Sequence, residues 1–201
     1  MNDSKSEIYS FSPYPGLLCL AGSVLFMAVS FLSYYPSPEV AFRTDDSPVA
    51  WLSGAQLWAM ALLALRLWRE SVLPRSLCLW LFVAMTEMAF DEQFMLHEHW
   101  KYGCIEWLSL CRIGWITELP MILVGVLGVI SGIWLHRSLS DRLAQVQMWL
   151  SVGTGIFALY LRFTHHPIEL LPYKAAILVI AEALFAGMIL GLGRTTHQHG
   201  T

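Results

Sequence analysis

The residues best suited to chemistry lie in one stretch, Glu87 followed by Phe90–Trp100 (FDEQFMLHEHW). On a helix, positions three, four and seven apart share a face, so Glu87, Asp91 and Glu98 form an acidic stripe, with Glu92 and His99 beside it. Carboxylates on one stripe repel unless a cation or a proton joins them. Further along come Glu118, Glu182 and the pair His165 and His166, followed by Glu169.

Carboxylate and imidazole are ligands for a divalent transition metal such as zinc or iron, and three or four of them leave a position open for water. The first expectation is therefore a metal centre. Glu87, Asp91, His97, Glu118, His165, His166 and Glu182 would supply ligands, and Glu92 or Glu98 would act as general base toward a lipid or other membrane-soluble substrate. The spacing is not that of a known metal signature. There is no HExxH, and of the Glu-x-x-His pairs that di-iron bundles use only a reversed copy occurs, His166 to Glu169. A second expectation uses the same carboxyls without metal, as a proton- or cation-coupled path. A third makes the chain a non-catalytic subunit or sensor. Glu118, between Thr117 and Pro120, reads equally as the first-turn acid of a helix capped by Thr117.

These residues must be positioned by membrane-spanning helices. Of 201 residues, 56% are hydrophobic and only 13% charged, where soluble domains carry about a quarter charged. A helix of about 20 residues crosses the hydrocarbon core, and six such segments are present: 15–34, 47–65, 76–96, 113–135, 143–161 and 175–193. The fold expected is an all-α, six-span bundle forming a single domain over 1–201. Arg66, Arg69 and Arg75, and Arg137 and Arg142, mark two loops as cytoplasmic. Both termini are then inside, and loops 35–46, 97–112 and 162–174 are outside. Counted from the outer span ends at 1.5 Å per residue, Asp91 and Glu118 lie roughly 8 Å deep, Glu182 roughly 10 Å and Glu87 roughly 14 Å, a common level in the outer leaflet.

The net charge of −3 and the absence of a basic run argue against a nucleic-acid partner. The segment before the first apolar stretch lacks a basic region and a cleavage site, so that stretch is expected to be retained. Trp51, Trp80, Trp100, Tyr102, Trp107, Trp115 and Trp134 read as interfacial anchors. Gly128 and Gly132, and Gly187 and Gly191, have the small-xxx-small spacing of close helix packing, within the chain, in a homo-oligomer or against a partner membrane subunit. Cys104 and Cys111 would stand roughly 10 Å apart on a straight helix, so the spacing argues against a disulfide unless the segment bends.

The Asp-Glu-x4-His-Glu core at Asp91, Glu92, His97 and Glu98 resembles a motif that closes an apolar span in bacterial polytopic membrane proteins of unassigned activity. The resemblance covers about a quarter of the chain. It implies a multi-pass protein of the cell inner membrane and no particular reaction. The seven-span zinc hydrolases of the alkaline ceramidase and adiponectin-receptor group share only a layout, since their His-x3-His pair is replaced here by adjacent His165 and His166.

Overall fold

The computed structural model describes residues 9–43, 47–164 and 173–194. Helices account for nearly all of it, in the order α1 (Tyr14–Ser33), α2 (Val40–Arg43), α3 (Pro48–Glu70), α4 (Arg75–Phe94), α5 (Leu96–Trp107), α6 (Gly114–Thr117), α7 (Leu119–Ser138), α8 (Arg142–Thr164) and α9 (Lys174–Gly191). By length and composition, α1, α3, α7 and α9 are long and apolar enough to cross a membrane. Two three-residue strands not foreseen from the sequence, β1 (Tyr9–Phe11) and β2 (Leu192–Arg194), pair antiparallel and tie the segment before α1 to the segment after α9.

Local chemistry sets the helix starts and stops. Ser47 caps α3 by accepting the Ala50 N–H at 3.2 Å, and Pro48 fills the first turn, where a missing N–H costs nothing. Asp141 opens α8 by accepting from Leu143 N at 2.8 Å and Ala144 N at 3.0 Å. Ser71 ends α3 in the left-handed region, and Pro74 precedes α4.

Two expected spans are interrupted. The third does not run on to residue 96: Met95, at φ 51°, stops α4 and starts α5 in a new direction. Glu87, Asp91 and Glu98 therefore do not lie on one continuous helical stripe. The fourth does not begin at 113 as one helix, because Glu118 (φ −93°, ψ 2°) separates α6 from α7. The helix start read at Thr117 is shifted by one residue, with Glu118 in the cap position and Pro120 in the first turn.

The packing centres on α9, which lies against α1, α3 and α8, while α4 runs along α3. Ala183, Gly187 and Gly191 keep α9 slim where its neighbours cross. A Cβ at Gly187 would run into the backbone of Gly16, and one at Gly191 into the carbonyl of Ser12. The second glycine pair is thus consumed within the chain. Gly132 on α7 is in ordinary contact range of Val152, whereas a Cβ at Gly128 would meet nothing. Most of α7 faces outward with Leu123, Val126, Ile130 and Ile133 exposed, as does α1 with Leu17, Leu18, Leu25 and Leu32. Exposed apolar surface on this scale belongs against hydrocarbon or another protein.

Leu67, Leu77, Leu81, Leu135, Met148, Met188 and Leu192 form a core at one end of the bundle. That end holds the α3–α4 turn, the α7–α8 turn and the β1–β2 ribbon. A second cluster of Met27, Phe42, Val49 and Val179 closes the opposite part.

Candidate functional site: a buried carboxyl between three helices

Glu182 sits halfway along α9 and is 5% exposed. Its neighbours come from α3, where Ser53 and Gln56 are three apart and so present both side chains to the same side. Ser53 Oγ donates to Glu182 Oε1 at 2.8 Å. The Gln56 amide lies between Glu182 Oε2 and the Val179 carbonyl, both acceptors, so its nitrogen faces them at 3.2 Å each, and its oxygen accepts from Ser23 Oγ of α1 at 2.7 Å. One polar chain therefore runs from α9 through α3 to α1. Among the described residues no lysine, arginine or histidine pairs with Glu182.

Of the acids in the α4 stretch, Glu92 is within electrostatic reach of Glu182. The approach of α3 to α4 is close there. A Cβ on Gly54 would strike the side-chain amide of Gln93.

The other candidates go elsewhere. Glu87 is exposed, and Glu98 is partly buried in the first turn of α5. Asp91 spans the bend at Met95: Oδ1 accepts the His97 backbone N–H at 2.7 Å and Oδ2 lies 2.8 Å from His97 Nδ1. It acts there as the cap of α5, holding two helices at an angle. Glu118 pairs with Lys101 Nζ, and Trp100 Nε1 donates to the Ile116 carbonyl, so α5 is fastened to the start of α7. His165, His166 and Glu169 lie outside the described residues. Among the described residues, no three His, Cys, Asp or Glu side chains gather closely enough to hold a metal ion.

Cys104 and Cys111 form a disulfide, with Cα atoms 5.8 Å apart. The straight-helix separation does not apply because α5 ends at Trp107, Leu108 is extended, and Ser109–Arg112 turns back as a 3-10 helix. Two of the tryptophans read as interfacial anchors also bond between helices. Trp80 Nε1 donates to Ser131 Oγ at 2.7 Å and so links α4 to α7, and Trp100 serves the fastening just described.

Ser53, Gln56 and Ser23 were not among the expected site residues. Their signal was Gln56 itself, an amide in a span of mostly apolar residues. On α8, Gln147 and Ser151 are another such pair, donating to the Leu184 and Ala181 carbonyls of α9 at 2.9 and 2.7 Å. No family model, curated protein or solved structure matches this chain.

Proposed function

We propose that this chain is a six-span, proton-coupled carrier of the cell inner membrane whose proton-binding group is Glu182. Two further spans join the four apolar helices. The 20-residue α4 runs along α3 and the 23-residue α8 along α9. Both are long enough to cross. Gln147 and Ser151 of α8 point inward to α9 carbonyls, while Leu143, Val146, Leu150 and Phe157 face out.

Orientation has two supports. The arginine-bearing turns, Arg66–Arg75 and Arg137–Arg142, share the end of the bundle that holds the β1–β2 ribbon, which favours that end as cytoplasmic. The disulfide belongs to an oxidising compartment, which favours the Cys104–Cys111 loop as external.

One observation carries the proton reading: the chain Glu182–Gln56–Ser23 has a connected set of hydrogen bonds for each protonation state of Glu182. With Glu182 ionised, Ser53 and Gln56 donate to the carboxylate and Ser23 donates to the Gln56 oxygen. With a proton on Oε2, the carboxyl donates to the Gln56 oxygen, the turned amide donates to Ser23 Oγ in exchange for its bond to the Val179 carbonyl, which must then draw away, and Ser23 donates to the Cys19 carbonyl at 2.8 Å. Protonation thus reverses the hydrogen bonds between three helices, which is a means of coupling proton binding to helix movement. An unpaired carboxylate in the middle of a span costs on the order of 3 kcal/mol, and a proton relieves it.

The test is proton flux in liposomes that contain the purified protein, read with an enclosed pH-sensitive dye. Wild type should dissipate a pH gradient, and Glu182→Gln should fall to the rate of empty liposomes. Equal rates for both proteins would end the carrier reading. A stoichiometric zinc or iron content, lost in Glu182→Gln, would replace it by the metal-centre reading.

A further inference from the structure

We propose that the groove between the end of α7 and the start of α8 binds one anionic phospholipid, with the phosphate held by Arg142 and His136 and an acyl chain lying along Val146, Trp149 and Leu150. The groove has a volume of about 460 Å³ and is lined by His136, Arg142, Gln145, Val146, Trp149 and Leu150. Its composition is divided along its length. Polar and basic groups lie at the turn, and exposed apolar side chains lie one and two helical turns further into α8. That is the order in which a lipid presents phosphate and then hydrocarbon.

The charge at the mouth selects an anion. Arg142 is exposed and makes no ion pair among the described residues. The nearest acid in sequence, Asp141, has its Oδ1 turned back on the Leu143 and Ala144 N–H groups. His136 is set as a donor: Trp149 Nε1 has only a proton to give and gives it to His136 Nδ1 at 3.3 Å, so the neutral ring carries its own proton on Nε2. The Gln145 amide nitrogen donates to the Leu139 carbonyl at 2.7 Å and fixes the turn that carries these groups. A fixed turn, a free guanidinium, an N–H donor and an aromatic wall at the membrane boundary form the kind of basic interhelical pocket that anionic headgroups occupy. The placement in the inner leaflet rests on the orientation proposed above, but the binding chemistry does not.

Native mass spectrometry of the full chain in detergent tests this with phosphatidylglycerol, phosphatidylcholine and inorganic phosphate as probes. One phosphatidylglycerol adduct is expected, retained about tenfold better than phosphatidylcholine, and Arg142→Gln should remove that preference, since it deletes a charge-assisted contact. Arg142→Lys keeps the charge and should keep the preference, which separates lost binding from lost folding. Equal retention of the two lipids, or an Arg142→Gln protein that still prefers phosphatidylglycerol, overturns the proposal. Displacement of the lipid by inorganic phosphate at equal concentration overturns it too, because the site would then be one for small anions.

Discussion

Glu182 of α9 and Ser53 of α3 meet at 2.8 Å in the middle of the bundle, with the carboxyl 5% exposed and no cation beside it among the described residues. A polar contact at this depth ties two helices together, and it leaves the second carboxyl oxygen to Gln56.

If that oxygen gains and loses a proton, infrared difference spectra between acid and alkaline states should contain a protonated-carboxyl C=O band that is missing in Glu182→Gln. The side-chain amide band should change in the same spectra and be silent in Gln56→Leu. A carboxyl band that survives in Glu182→Gln would assign the proton to another acid.

The two glycine pairs should behave oppositely. Gly187→Leu drives a side chain into the Gly16 backbone and should cost roughly 2–3 kcal/mol, the range of overpacking. Gly128→Leu enters open space and should change stability by less than about 0.5 kcal/mol. Unfolding in mixed detergent micelles measures both. A large loss for Gly128→Leu would mean that α7 has a partner.

The bend between α4 and α5 should be sensitive at two points. Asp91→Ala removes both bonds to His97 and should destabilise by about 1–2 kcal/mol, as for other lost caps. Met95→Gly relieves a side chain held at φ 51° and should cost little or even stabilise by up to about 1 kcal/mol. A loss of several kcal/mol for Met95→Gly would show that packing of the Met95 side chain, and not its backbone, sets the bend.

In intact cells, a membrane-impermeant maleimide added from outside should label Cys104 and Cys111 only after a reductant has been supplied. Cys19 and Cys78, the one partly buried and the other buried among helices, should stay unlabelled throughout. Labelling of the pair without reductant would mean the thiols are free, and no labelling under either condition would place the loop inside.

The helical segments could be read from the sequence because long apolar runs with few or no charges mark them. Glu182 was legible as a deep acid for the same reason. The break at Met95 was not, since FDEQFMLHEHW contains no glycine, proline or asparagine. The stop is made by Asp91 reaching across to His97, a contact that periodicity alone does not reveal. The gathering of Glu87, Asp91, Glu118 and Glu182 at one depth was a statement about height along the helices. Height carries no azimuth, and the side chains take four different directions. Ser53 and Gln56 went unnoticed because an uncharged polar side chain in an apolar segment, even the amide of Gln56, names no partner until the helix facing it is known.

The ribbon of Tyr9–Phe11 with Leu192–Arg194 and the Gly16–Gly187 crossing make α9 the chief neighbour of α1, the first long helix. The Gly16 face therefore stays uncovered until α9 has been made, and a chain cut short before α9 leaves α1 without its main packing partner.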